Sequence, residues 1–381
     1  MQANNLPLWL ALKFVPRLAV HKKIALVEEF GIKPLFTTKQ SRSILTSSHG
    51  LTAKQLAAFE APDWQKINAV IEQSIQCSSE LIPFEDDCYP QLLKQIYDPP
   101  LVLFIQGNKK LLNRPQLAIV GSRNASIEAR EVSFAIAQEL SQSHFVVTSG
   151  LALGVDAAAH KGTLSVSEAT IAVVATGLDS IYPSRHKKLA QDILKKQGAI
   201  ISEFLPGTQA RAGHFPKRNR IISGLSLGVL VVEATIKSGS LITARCAIEH
   251  NREVFAIPSS INNAQAKGCH WLIKQGAKLV ESFADIVEEL NPVDISGLHL
   301  EVERQDQQKP QQKTNNIEQK KNPQKDLCKD ALLASVGFEI TPVDRVVSRS
   351  KLPIEEVLTR LTVLELSGLV SAVPGGYLRV K

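Results

Sequence analysis

Cysteine is scarce in this chain. Five occur in 381 residues, Cys77, Cys88, Cys246, Cys269 and Cys328, and they lie far apart. An odd count with no CxxC pair excludes a disulfide framework and a cysteine zinc site, and it suits free thiols in a reducing cytoplasm. The nine histidines include no HExxH and no other metal-ligand spacing. Neither GxGxxG nor GxxxxGK[ST] appears, so nicotinamide chemistry and ATP hydrolysis lack their usual phosphate cradles. No apolar run approaches the ~18 residues of a membrane span. The opening "MQANNLPLWLALKFVPRLAV" is interrupted by Lys13, Pro16 and Arg17 and has no small-residue cleavage site, so no signal peptide is expected. The expectation is a cytoplasmic chain with no catalytic residue, metal or cofactor and no membrane partner.

What remains is an ordinary globular composition, 44% hydrophobic and 21% charged, long enough for two or three domains. The net charge is +7. Residues 101–290 hold 21 Lys and Arg against 15 Asp and Glu, most of that excess. Such a surplus suits a polyanionic partner.

Residues 1–78 read as short helices, "RLAVHKKIALVEEFG", "SRSILTSSHG", "LTAKQLAAF" and "DWQKINAVIEQSI", an all-α domain. An irregular, proline-bearing connector ends in the strand "LVLFIQG". From 117 the texture changes. "LAIVG", "FVVTSG", "TIAVVATG", "AIISEF", "LGVLVVEA" and "REVFAIPSS" are short apolar runs separated by helical segments. Strands apolar on both faces, alternating with helices, argue an α/β fold: a Rossmann-like, doubly wound, mainly parallel sheet over 79–290. Ligands of such a sheet bind beyond the carboxyl ends of its strands. Residues 291–326 lose all apolar pattern and read as a flexible linker. Order returns over 327–381 as helix, turn, helix, a helix from about Ile354 to Leu366, and a hairpin turning at Pro374-Gly375-Gly376, the pattern of a winged helix.

Cations and small residues gather at the strand ends. "GSR" (Gly121, Ser122, Arg123) offers a tight turn, amides and a guanidinium to an anion. Gly150 follows the next strand, and "YPSRHKK" then brings Arg185, Lys187 and Lys188. "HFPKRNR" packs His214, Phe215, Pro216, Lys217, Arg218, Asn219 and Arg220 into the stretch between the fourth and fifth strands. "KSGS" (Lys237, Ser238, Gly239, Ser240) opens a helix after the strand that ends at Glu233. Several such sites on one sheet edge suit an extended polyphosphate better than a mononucleotide. Single-stranded nucleic acid adds a need for aromatic stacking, for which Phe215 is the candidate. Plainer readings stand beside these: "GSR" as a simple βα turn, the lysine run as a solvated helix face, Phe215 as core, Arg220 as a structural residue holding the loop.

The strand-end motifs, with "SGLALGVDAAAHKGTL", "ISEFLPGTQARAGHFPKRNRIISGLSLGVLVVEATIKSGSLITARCA" and "KGCHWLIKQGAKLV", resemble the DNA-processing protein A family (DprA, also called Smf) over about residues 80–290. The resemblance implies a non-enzymatic, single-strand-DNA-binding homodimer of natural transformation that protects DNA and helps load the recombinase RecA past single-strand-binding protein. It implies DNA contacts from Gly121, Ser122 and Arg123, from Phe215, Pro216, Arg218, Asn219 and Arg220, and from Ser238, Gly239 and Ser240. It implies a dimer edge at His270, Ile273 and Leu279, although Ile273 and Leu279 also suit ordinary core. Two departures stand out. "KFVPRLAV" replaces a glycine hairpin in the N-terminal region, and the would-be recognition helix carries Glu355, Glu356 and Glu365 against Arg360. That helix favours a protein partner or weak duplex binding. Two other functions compete: a nucleotide phosphoribohydrolase with Glu233 as its acid, and a winged-helix transcription regulator.

Overall fold

The computed structural model describes residues 5–37, 50–290 and 332–380. The expected linker 291–326, Cys328, the start of the first winged-helix helix and most of "SRSILTSSHG" lie outside the described residues. The described chain falls into two compact units, 5–290 and 332–380.

In the first unit five helices lead: α1 (Leu6–Phe14), α2 (Val20–Phe30), α3 (Ile32–Thr37), α4 (Ala53–Glu60) and α5 (Trp64–Gln76). Their apolar stripes meet around Trp9, Leu10, Leu12, Phe59 and Ile67. A reciprocal capping box between Thr52 and Gln55 fixes the start of α4. These helices share one hydrophobic core with the sheet, reaching Phe104, Ala172 and Ile200.

The sheet and its helices follow in chain order as β1 (Glu80–Pro83), α6 (Gln91–Lys94), β2 (Val102–Gly107), β3 (Gln116–Val120), α7 (Ile127–Gln142), β4 (Val146–Ser149), α8 (Val155–Ser165), β5 (Thr170–Val173), α9 (Lys187–Lys195), β6 (Ala199–Ser202), α10 (His214–Leu225), β7 (Gly228–Val231), α11 (Ser240–Glu249), β8 (Glu253–Ala256), α12 (Lys267–Lys274), β9 (Lys278–Leu279) and α13 (Phe283–Glu289). The strand order is β1-β2-β6-β5-β4-β3-β7-β8-β9. From β6 to β9 every pair is parallel; β2 runs antiparallel to β6 and β1 antiparallel to β2. Side chains alternate between the two faces. Phe104, Ala172 and Ile200 enter one core, while Ile105, Ile171, Val173 and Ile201 enter the other with Ile221, Ile222 and Leu225 of α10. All six strands expected from 117 onward are present.

The chain steps outward from β3 to β6 and then returns to the other side of β3 as β7. The topological switch point therefore lies between β3 and β7, where the loops diverge and leave a crevice beyond the carboxyl ends.

The second unit is a winged helix: α14 (Val343–Ser350), α15 (Ile354–Leu366) and the antiparallel hairpin β10 (Val370–Val373) and β11 (Gly376–Arg379). Val346, Val357, Leu361, Leu364 and Val370 form its core. A bridge from Thr341 to Tyr377 adds the short third pairing.

Candidate nucleic-acid interface

Close backbone packing builds the switch point. The Ser122 amide donates to the Glu233 carbonyl at 2.7 Å, and the Val155 amide donates to the Ser122 carbonyl at 3.2 Å. A Cβ on Gly121 would meet Val155 Cγ2 at 2.5 Å. Gly154 sits at φ +76°, and a Cβ there would meet the Ser122 carbonyl at 2.1 Å. Both glycines thus allow the turn after β3 to touch the start of α8. Glu233 is 2% exposed, and its carboxylate accepts the Ser126 amide at 3.1 Å at the start of α7. Its place is that of a buried helix cap, a poor position for the acid of a phosphoribohydrolase.

Arg123 reaches outward from this turn. Its guanidinium lies 4.8 Å from the centroid of the Phe215 ring, and Tyr182 lies 5.8 Å from the same ring. Tyr182 is 49% exposed and precedes Pro183 through a cis peptide bond. One cation and two aromatic faces, from two loops and the first turn of α10, therefore meet at the rim. Tyr182 is not among the contact residues expected from the sequence. Its one signal was an aromatic beside proline in a cationic loop.

The "HFPKRNR" stretch lies between the fourth and fifth expected strands, β6 and β7, and forms the first two turns of α10. Pro216 fits because the first helical turn has no intrahelical acceptor for its missing N–H. The helix then turns Arg218, Asn219, Ile221, Ile222 and Leu225 inward together. Arg218 is 4% exposed. Its Nη1 donates to the carbonyls of Gly150 and Val173 (the latter at 2.7 Å), and its Nε to Asn219 Oδ1 at 3.1 Å. It ties the ends of β4 and β5 together from within. Burial lowers its pKa to about 10, with Asp156 opposing the fall, so it stays cationic at neutral pH. Asp156 accepts the Gly150 and Ala152 amides at 3.1 and 3.2 Å, and burial raises its carboxyl above the usual range. Gly150 is buried, and a Cβ on it would meet Arg218 Nη1 at 2.0 Å.

Asn219 donates to the Gly239 carbonyl at 3.2 Å, joining α10 to the "KSGS" turn. Arg220 is also drawn inward, paired with Glu203 and, at 3.4 Å, with Asp98. That was the structural role left open for it. Lys13 donates to the Glu203 carbonyl at 3.0 Å, and burial lowers its ammonium pKa. His214 is half-buried and stacks on Phe204 at 4.4 Å. Of the cluster, Pro216 and Lys217 are exposed and Phe215 half-exposed.

In "KSGS", Lys237 and Gly239 are exposed and Ser240 is buried. The Ser238 hydroxyl lies 2.6 Å from that of Ser240 and accepts the Ser240 amide at 3.3 Å, so this turn already caps part of α11. Arg185, Lys187 and Lys188 are exposed around the start of α9. His270, Ile273 and Leu279 lie apart from the rim, on α12 and the terminal strand β9. His270 Nε2 pairs with the Ser259 carbonyl at 2.8 Å, Ile273 packs against the sheet core, and Leu279 is 40% exposed. Among the described residues no group of His, Cys, Asp or Glu could hold a metal, and no helix is long and apolar enough to cross a membrane.

The sequence profile described as DNA recombination-mediator protein A matches residues 80–291, and the DprA winged helix domain matches 318–376. Protein Smf of Escherichia coli is 42% identical over 348 residues, 91% of this chain and 90% of its own length. This chain belongs to the DprA/Smf family. The X-ray structure of DprA from Streptococcus pneumoniae aligns with a TM-score of 0.57 at 37% identity, over 72% of this chain and 99% of that one. A structure of DprA from Helicobacter pylori, whose subject is that protein's single-stranded DNA binding mode, aligns with a TM-score of 0.51 at 30% identity, over 58% of this chain and 98% of that one. The family match spans the whole sheet beyond α5, including both partners of the Arg123–Phe215 contact.

Proposed function

We propose that this DprA/Smf-family chain binds single-stranded DNA at the strand-end rim, without enzymatic action, as a homodimer that shields the strand and helps load RecA in natural transformation and recombination. The observation that carries the reading is the Arg123 guanidinium over Phe215 beside exposed Tyr182 at the switch point. A guanidinium takes phosphate, and aromatic faces take unstacked bases of any sequence. The single-stranded DNA binding described for the Helicobacter pylori relative supports the same reading. Exposed Leu279 on terminal strand β9 is the side proposed for the second copy. The winged helix is assigned to a protein partner. The exposed face of α15 carries Glu355, Glu356 and Glu365, and its Arg360 pairs with Glu356 at 2.6 Å. Phosphates would be repelled there.

Fluorescence anisotropy with labelled oligothymidine and with duplex of equal length tests this. With about four phosphates neutralised per protomer, log K for the single strand should fall against log salt with a slope of about −3, at ~0.7 per phosphate. Equal affinity for duplex, or no single-strand binding at ~0.1 M salt, would overturn the proposal. Release of free base from nucleoside monophosphates would instead favour the phosphoribohydrolase.

A further inference from the structure

A groove of about 670 Å³ runs between α8 and α9, outside the rim. Its walls carry five cations, Lys161, Arg185, Lys188, Lys195 and Lys196, against one acid, Asp192. Lys161, Lys188 and Lys195 are exposed and make no ion pair among the described residues; Lys196 reaches only the Ser167 hydroxyl, at 3.0 Å. Asp192 stands four residues from both Lys188 and Lys196 and offsets part of their charge, so the groove keeps a positive surplus with Lys161 and Lys195 unopposed at that spacing. A concave, solvent-open groove with a surplus of positive charge concentrates a polyanion.

The channel is also placed to continue the rim. Its upper end is the turn Ser184–His186, two residues beyond Tyr182. His186 Nδ1, held at 2.8 Å by the Leu151 carbonyl, anchors that turn to the end of β4. From there Lys188 to Lys196 spans about 12 Å along α9, at ~1.5 Å per residue. A stacked strand advances ~3.4 Å per nucleotide, so the channel accommodates about three or four. Leu164 and Leu189 line it, and its lining holds no Phe, Tyr or Trp; its one ring, His186, is held by the Leu151 carbonyl at the upper end, so phosphate contact dominates along the rest.

We infer that this groove carries the sugar–phosphate backbone of single-stranded DNA away from the rim, by phosphate contact alone, with Lys161, Lys195 and Lys196 as its outer grip. The inference rests on the rim reading above and adds a track to it. The test compares oligothymidines of 6 and 30 nucleotides on the full chain and on the triple variant Lys161→Gln, Lys195→Gln, Lys196→Gln. A second triple variant, Lys22→Gln, Lys33→Gln, Lys54→Gln, removes equal charge from exposed positions on the N-terminal helices. The groove variant should bind the 6-mer as the wild type does. It should bind the 30-mer with a salt slope shallower by about 2, which at 0.1 M salt is roughly a 100-fold loss. The control variant should change neither. An unchanged 30-mer affinity in the groove variant overturns the track and leaves the rim standing, as does an equal loss in both triple variants. A wild type that binds neither oligonucleotide overturns the rim reading and the track with it.

Discussion

Arg123 and Arg218 stand 95 positions apart, each in a cationic motif expected at the rim, yet their replacement should have opposite consequences. Arg218→Ala removes the donor to the Gly150 and Val173 carbonyls and the positive charge nearest buried Asp156. Removing one partner from a buried charge arrangement costs about 3–5 kcal/mol. At ~2–4 °C per kcal/mol for a unit of this size, the larger unit should melt about 10 °C lower. Arg123→Ala touches an exposed guanidinium over Phe215, so stability should stay within about 0.5 kcal/mol of wild type. Its loss should fall on binding: a charge-assisted phosphate contact of ~1.5 kcal/mol is about tenfold in affinity, and the salt slope should lessen by ~0.7. Thermal melts by circular dichroism, with anisotropy titrations at 15–20 °C on the same samples, read both quantities. An Arg218→Ala protein that melts with the wild type and loses tenfold in affinity would refute the argument, because the guanidinium would then be facing the strand.

Two further outcomes are expected. Phe215→Ala and Tyr182→Ala should each weaken single-strand binding by ~1–3 kcal/mol, with little change in salt slope, since stacking carries no counterion release; a slope change without an affinity change would sink the stacking role. Burial lowers the pKa of His160 to about 3 from 6.5, with His186 and Arg218 adding to the effect. The unfolded state therefore holds the extra proton between these values, and His160's contribution, complete above pH 6.5, is lost at ~1.4 kcal/mol per unit as pH falls toward 3. His160 Nδ1 lies 2.9 Å from the Thr170 hydroxyl, which itself donates to the Val147 carbonyl, so the neutral ring is the donor in that pair. His160→Gln keeps a neutral donor there. Its melting point should fall less between pH 7 and pH 5 than that of the wild type, and an equal fall in both proteins would contradict the burial argument.

The sheet was legible because its strands are buried on both faces. "LAIVG" and "AIISEF" carry no polar alternation, and only a covered parallel sheet accommodates that. The winged helix was legible from α15, whose expected span Ile354–Leu366 is the one observed, and from a hairpin turn marked by proline and two glycines. The antiparallel addition of β1 to β2 was not legible, since "ELIP" is four residues long and ends in proline. Nor was the shared core of the N-terminal helices and the sheet, which periodicity cannot reveal: an apolar stripe shows that a helix packs, and is silent about its partner.

The motif "HFPKRNRIISGL" shows the deeper limit. Charge makes it look like a surface, with its three cations as one patch. Yet Arg218 stands three, four and seven residues before Ile221, Ile222 and Leu225, the spacing of one buried helical stripe. The inward turn was therefore written in the sequence, but a proline at the third position and a guanidinium in the stripe concealed it. Both have physical licence, the proline in the first turn and the guanidinium through two strand-end carbonyls. Charge and motif alone do not say what a residue does. Here the fold separates the reasons: Arg218 holds the ends of β4 and β5 in register, and that register sets the rim from which Arg123, Tyr182 and Phe215 can meet a strand.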